Sequence, residues 1–492
     1  MKSEPIMDAI TELDDELILD DPAPAMRAAK KKYTAVWAAC ALLAVALITG
    51  GILLFARDNG GYHKPVARAA ALAEPEYPRD KQWEDYYNNA TANLPDPAFE
   101  RRLANRGAAD GFRGFFTDIT LQLLGEEDTE NAVMSPVNIF MATAMLAEIS
   151  GGETRQEILD ALHMDSLETL RGQAHKVWDL VYHDNGIDKV IPANSLWLSQ
   201  DYPYAEEAVS MLAEQYYASV FQGEMGDPAY DELLRSWLNA QTGGLLKENI
   251  DSLQFEPDTV LRLLSTLYLQ TKWGTPFSED ENRELVFHGS QGDKTVTFLH
   301  ADDYIREYYY GDRFIFFQVP TFQGSRVWFF LPDEGVTLTE MMADEAFRAF
   351  LEEPDPGHYY GEENGQTVFV SYKGTSTAAA RINLSIPKLD FSCTQDLGDS
   401  LTNLGIRSVQ DPKKADLSPL LGGKGAYLQQ MTQSSRLIMD EEGVSAASYV
   451  DYLVGAALPP DEEIDLVVDR PYFFLITGND NVPLFAGVVN DP

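Results

Sequence analysis

The chain has 492 residues, 45% of them hydrophobic, and a formal net charge of -41. Such a length can bury a large core and by itself allows about two to four domains, whereas so large an excess of carboxylates excludes a nucleic-acid-binding surface, which needs a cationic face. The two cysteines, Cys40 in an apolar run and Cys393 far along the chain, give no plausible intrachain disulfide, and the seven scattered histidines form no Cys/His cluster, so no metal site is expected.

Residues 1–26 hold eight acidic residues and one lysine. They read as a disordered acidic tail, with a short amphipathic helix through Ile10, Leu13 and Leu17 as the alternative. Tyr33 to Phe55 is an almost uninterrupted apolar run of 23 residues, long enough to cross a bilayer as a helix at about 1.5 Å per residue. Arg27, Lys30, Lys31 and Lys32 precede it, against Arg57 and Lys64 after it, which places the N-terminus in the cytoplasm and the rest outside. A cleaved signal peptide is the competing reading, weakened by the length of the run and of its charged leader. The expected organisation is therefore a cytoplasmic tail with a basic stop over 1–32, a membrane span over 33–55, an extracytoplasmic tether over 56–98 broken by Pro65, Pro75, Pro78, Pro95 and Pro97 and partly folded around Trp83, Tyr86 and Tyr87, and one large domain over 99–492.

Within that domain, apolar spacing predicts a helix from Phe99 to Leu124 with Gly125 as its stop. A second helix is expected at Ser135-Pro136, where serine caps and proline fits the first turn. Thr154-Arg-Gln-Glu157 has the spacing of a capping box and predicts another helix start. Strands are expected at Asn194 to Leu198, Arg326 to Leu331, Ile382 to Ile386, Val467 to Thr477 and Val482 to Val489, and the segregated runs of helices and strands predict an α+β domain. Residues 352–380 stand apart as a Pro, Gly and Ser-rich stretch with the composition of a surface loop.

The stretch Asp440-Glu-Glu-Gly-Val-Ser-Ala-Ala-Ser-Tyr449 follows a lone glycine with small residues, a composition suited to a segment that moves between strands. Strand parity puts Val444, Ala446, Ser448, Val450, Tyr452 and Val454 on an inward face suited to a core and Ser445, Ala447, Tyr449, Asp451 and Leu453 on a face suited to solvent. The local pattern fits an ordinary amphipathic strand equally well.

Motifs elsewhere break this tie. Asn131-Ala-Val-Met-Ser-Pro-Val-Asn-Ile139, Gly151-Gly-Glu-Thr-Arg-Gln-Glu-Ile158, Asn194-Ser-Leu-Trp197, Trp237-Leu-Asn-Ala-Gln-Thr-Gly-Gly-Leu-Leu-Lys-Glu-Asn-Ile250, Thr271-Lys-Trp-Gly-Thr-Pro-Phe277, Ile386-Pro-Lys-Leu389, Leu404-Gly-Ile406, Ala415-Asp-Leu-Ser418, Asp469-Arg-Pro-Tyr-Phe-Phe474 and Pro483-Leu-Phe-Ala-Gly487 occur in that order. With them the chain resembles the serpin family of serine protease inhibitors from near Phe99 to Pro492, as a membrane-anchored member of bacterial type.

The resemblance implies a large central mixed β-sheet, surrounding helices and an exposed reactive-centre loop over about 443–466, preceded here by one transmembrane helix. It implies a monomeric suicide inhibitor without cofactor and not an enzyme: a serine protease cleaves the loop, is acylated, and is distorted when the loop inserts into the main sheet. Gly443, Val444, Ser445, Ala446, Ala447 and Ser448 form the hinge. Family spacing counted from Gly443 puts the reactive bond at Ala457-Leu458, with Ala456-Ala457 next; counted back from Pro471 the loop is longer than usual, but a bond before Pro459 is cleaved poorly by most proteases. The absence of Lys and Arg between Arg436 and Arg470 argues against trypsin-like targets, and alanine at the bond suits elastase-like or subtilisin-like enzymes. Ser135, Asn138, Ser265 and Gln433 correspond to the family's polar cluster where the sheet opens, with all but Ser135 departing from the usual residue, and Trp273 matches the tryptophan at the point of loop entry. Glutamine in place of the usual histidine implies a latch that does not titrate between about pH 5 and 8. Tyr449, Tyr452 and the altered cluster leave a second reading open, a serpin-fold binding or scaffold module that no longer traps.

Overall fold

The computed structural model describes residues 70–87, 95–125, 130–321, 324–353, 359–363, 366–370, 376–423, 425–444 and 463–492, all within the larger of two units, residues 67–492. The expected membrane span, the tail before it and loop residues 445–462 lie outside the described residues, among which no helix is long and apolar enough to cross a membrane.

The strands, in chain order, are β1 (Ala70–Ala73), β2 (Ala132–Met134), β3 (His183–Asp184), β4 (Lys189–Ser199), β5 (Ala218–Gly223), β6 (Leu261–Lys272), β7 (Arg283–Gly289), β8 (Gly292–Tyr310), β9 (Phe314–Pro320), β10 (Arg326–Pro332), β11 (Tyr359–Glu363), β12 (Gln366–Val370), β13 (Ser376–Pro387), β14 (Leu389–Asp396), β15 (Thr432–Met439), β16 (Gly443–Val444), β17 (Glu463–Val467), β18 (Tyr472–Thr477) and β19 (Pro483–Val489). The main sheet runs β1-β5-β4-β6-β16 with β3 on β4, and β14 and β15 pair separately. A second sheet runs β17-β13-β8-β9-β10-β18-β19-β2 with β7 on β8, and the hairpin β11-β12 lies within the 352–380 stretch expected as a surface loop. Parallel pairs β4-β5 and β13-β17 among antiparallel neighbours make both large sheets mixed.

The helix Pro136–Ile149 begins where its sequence predicts, with Ser135 accepting a hydrogen bond from the Asn138 N–H at 3.4 Å and Pro136 in the first turn. It is apolar almost all round and correspondingly buried. Three expected elements differ. The helix expected from Phe99 to Leu124 is two, Pro97–Ala104 and Arg113–Leu124, parted by a short 3-10 turn at Ala108–Gly111 that Gly107 enters with φ +82, a conformation glycine adopts readily. The helix expected to open at Thr154 already runs from Gly152 to Ala161, and the Thr154 hydroxyl instead accepts from the Asp416 N–H at 3.1 Å. The strand expected over Val467 to Thr477 breaks between β17 and β18 at a segment containing Pro471, which has no N–H for a ladder.

Residues 70–87, within the expected tether, pack into the fold. β1 adds an antiparallel edge strand to β5, and Asp80, buried, takes the Arg101 guanidinium at 2.7 Å and the Asp184 N–H at 2.9 Å. His183 lies 3.3 Å from the same carboxylate and 3.7 Å from that of Asp188.

Candidate functional site

β6 is the last full strand of one half of the main sheet, and β15 belongs to the separate pair with β14. Between them lies a small cavity lined by Leu267 and Leu269 of β6, Leu437 and Ile438 of β15, Val444 and Phe485. The start of the helix Pro136–Ile149 meets both sides, through the Ser135 backbone on one and the Asn138 side chain on the other. The Ser135 N–H donates to Gln433 Oε1 and its carbonyl accepts from Gln433 Nε2, each at 3.0 Å, so one amide side chain of β15 is bonded twice to the helix start. On the other side the Ser265 hydroxyl of β6 donates to Asn138 Oδ1 at 3.4 Å. All four expected cluster residues thus meet in one network, with Ser135, Asn138 and Gln433 buried. It contains no ionisable group.

At the other end of the gap the hinge is already laid against β6: Gly443 pairs with Lys272 and Val444 with Thr271. Gly443 is required by close approach, because a Cβ there would stand 2.3 Å from the Thr271 carbonyl oxygen and 2.5 Å from Lys272 Cα, both backbone atoms. Val444 is buried, as its inward parity predicts. Ser445, Ala446, Ala447, Ser448, Ala457 and Leu458 lie outside the described residues.

Trp273 is buried and tied to the turn between β15 and β16. Its indole N–H donates to the Asp440 carbonyl at 2.7 Å and its backbone N–H to the Glu442 carbonyl at 3.0 Å. Asp440 closes the turn, its carboxylate accepting from the N–H groups of Glu442 and Gly443 at 3.0 and 3.2 Å. Glu441 was not marked by sequence reasoning, yet it holds the turn to its surroundings: its carboxylate takes Lys388 Nζ at 2.8 Å and Asn282 Nδ2 at 2.6 Å, and its carbonyl takes the Phe277 N–H at 2.9 Å. Burial pushes the Glu441 pKa up, but the bonds from Lys388 and Asn282 outweigh it and leave the carboxyl below its ordinary range; the same pair raises Lys388. The available signal was the acidic run before Gly443 and the lysine of Ile386-Pro-Lys-Leu389.

The arrangement is that of a sheet whose two halves are bridged by one polar network and one ion-paired turn, with the hinge strand started between them. The serpin (serine protease inhibitor) family model matches residues 113–492. Plasminogen activator inhibitor 1 of Bos taurus is 24% identical over 77% of this chain and 91% of its own length, and alpha-1-antiproteinase of Rattus norvegicus 25% over 86% and 94%. Serpin-ZX of Arabidopsis thaliana is 26% identical over 74% and 92%. Among solved structures, the thermophilic serpin tengpin in its native state superposes with a TM-score of 0.66 at 20% identity, over 86% of this chain and all of that one. Thyroxine-binding globulin in complex with thyroxine gives 0.60 at 20%, over 79% and 99%. The chain belongs to the serpin family, a family of protease inhibitors rather than of enzymes.

Proposed function

We propose that this protein is a membrane-anchored serine protease inhibitor that traps its target by loop insertion, with its N-terminus cytoplasmic and its inhibitory domain outside the cell. The observation that carries the reading is the hinge: Gly443 and Val444 already form the first two pairs of a new strand on β6, beside a cavity open toward β15. Insertion extends this ladder and gains hydrogen bonds and apolar burial, so the native fold is held short of its most stable state and cleavage releases it. The Ser135-Asn138-Ser265-Gln433 network and the Trp273-held turn act as the latches that delay it. Ala457-Leu458 is the reactive bond and its small apolar residue selects elastase-like or subtilisin-like enzymes. Tyr33–Phe55 supplies the anchor.

The test is to incubate the full chain, in detergent micelles, with an elastase-like and a subtilisin-like protease. A covalent complex that survives a denaturing gel, with a released C-terminal peptide beginning at Leu458, is expected. Quantitative cleavage at that bond without a complex, and without any gain in heat stability of the cleaved protein, overturns trapping. That outcome favours a binding module, the second reading, for which the large inward-parity side chain of Tyr452 is the specific motive.

A further inference from the structure

The helix Pro97–Ala104 carries its amphipathic pattern reversed. With about 3.6 residues per turn, Ala98, Arg101 and Arg102 share the side that meets the fold. Ala98 is fully buried, Arg101 reaches the buried Asp80 at 2.7 Å and the Tyr182 carbonyl at 3.2 Å, and Arg102 Nη1 is buried. Phe99 and Leu103, one turn apart, share the outer side. They are 53% and 51% exposed, more than any other large apolar side chain among the described residues. A helix on a water-soluble domain turns its apolar stripe inward and its charges outward; here the arginines point in and the apolar pair points out. The helix also precedes residues 113–492, the part shared with the family.

The charge around this face and the chain that leads to it indicate what covers it. Residues 79–106 hold five basic and five acidic residues, in a chain whose net charge is -41. An acidic surface is repelled by anionic lipid, and this stretch is the neutral exception. Arg106, just past the helix, is exposed and offers a guanidinium to a headgroup phosphate. Trp83 and Tyr86, half-buried with ring centroids 5.9 Å apart, lie beside the helix start, where the Tyr86 hydroxyl donates to the Asp96 carboxylate at 2.6 Å. Amphipathic rings of this kind favour the headgroup level of a bilayer.

Between Phe55, the end of the proposed span, and Ala70, the start of β1, stand residues 56–69, fourteen in all. Fully extended they reach at most about 50 Å. From β1 onward the chain is packed on the domain, and Asp80 ties it to this helix. Contact with the bilayer is therefore intramolecular, and so short a tether raises the effective concentration of the surface until a small apolar pair suffices.

We infer that the helix Pro97–Ala104 is a lipid-docking face, with Phe99 and Leu103 entering the headgroup layer of the bilayer in which the chain is anchored. The inference rests on the membrane-anchor part of the proposed function and adds to it a second, reversible contact with the same bilayer. Entry removes two exposed side chains from water. It also turns one face of the domain to the membrane and so selects the faces left open to a protease.

The test places the full chain in vesicles of an equal mixture of phosphatidylcholine and phosphatidylglycerol that carry a lipid with a photoactivatable diazirine near its glycerol backbone. After irradiation the labelled peptides are mapped by mass spectrometry. Label is expected both on residues 33–55 and on residues 97–104. Phe99→Ser combined with Leu103→Ser should lower the label on the helix by on the order of tenfold, and leave the label on the span and the thermal midpoint in micelles unchanged. If the span is labelled and the helix is not, or if the helix label persists in the double variant, lipid docking is refuted while the anchor stands. A lowered midpoint in the double variant would mean that the two side chains pack on the domain, which also refutes docking. If neither segment is labelled, the anchor itself is refuted and docking with it.

Discussion

Lys388 and Glu441 set the behaviour of the hinge turn because they are the charged groups that tie it down. Their signs with pH are opposite and bracket neutrality. Glu441, lowered from 4.5, stabilises the fold above that value and loses its contribution as pH falls through its folded pKa; Lys388, raised from 10.5, contributes below that value and loses it as pH rises through its own. Gln433 does not titrate, so both latches should be constant between about pH 5 and 8. Glu441→Gln removes the charge and keeps the shape. With Lys388 nearly half exposed, the loss should be modest, about 1 kcal/mol in the denaturant midpoint of the native form at pH 7, accompanied by faster spontaneous loss of inhibitory capacity on storage. An unchanged midpoint and lifetime would mean that Trp273 and Asp440 hold the turn without it.

At the scale of elements, β16 is two residues long and everything proposed for the loop begins there. Gly443→Ala puts a methyl group against the backbone of Thr271 and Lys272, neither of which can swing aside as a side chain can. The substitution should part β16 from β6 and shift the products on a denaturing gel from complex toward cleaved inhibitor by roughly tenfold, since about 1.4 kcal/mol between the two outcomes suffices; an unaltered ratio would dissociate the hinge pairing from trapping. Of this hinge only Gly443 and Val444 lie within the described residues, and the glycine and strand parity that mark them locally fitted an ordinary amphipathic strand as well until the distant motifs decided between the two. The polar network was legible only through resemblance, as its members are separated by up to 298 residues. The Glu441 contacts were not, because nothing near residue 441 indicates a lysine 53 residues or an asparagine 159 residues away. Apolar spacing misled where it continued across Gly107, at which the helix stops, whereas in the expected tether the aromatic residues Trp83, Tyr86 and Tyr87 marked the folded patch and only the burial of Asp80 against Arg101 and His183 went unmarked.

For the whole molecule the question is where a folded protein keeps the free energy that insertion would release. Three charges beside the gap are poorly accommodated. Among the described residues Arg262 has no carboxylate and the buried Lys272 ammonium no hydrogen-bond partner, and Asp188, next to the hinge-bearing end of β6 through Thr271, is raised to about 6 by burial despite His183 and the Thr271 hydroxyl. Asp188 gives the clearest test. Its folded pKa lies above the unfolded value of 3.8, so the native state binds the proton more tightly, and native stability falls as pH rises between those two values and stays lowered above them. Asp188→Asn keeps the shape and removes the buried charge. It should leave stability at pH 4 nearly unchanged, raise it at pH 7.5 by on the order of 1–3 kcal/mol, and flatten the slope near pH 6. Any pH dependence of insertion centred near 6 should then survive Gln433→Ala and vanish in Asp188→Asn, because the network at Ser135 has nothing to titrate. If the more stable variant also inserts its loop more slowly at pH 7.5, the buried carboxylate is part of what holds the native fold above its inserted state; if it inserts at the wild-type rate, the charge is present in the native and the transition state alike and the stored energy lies elsewhere along β6.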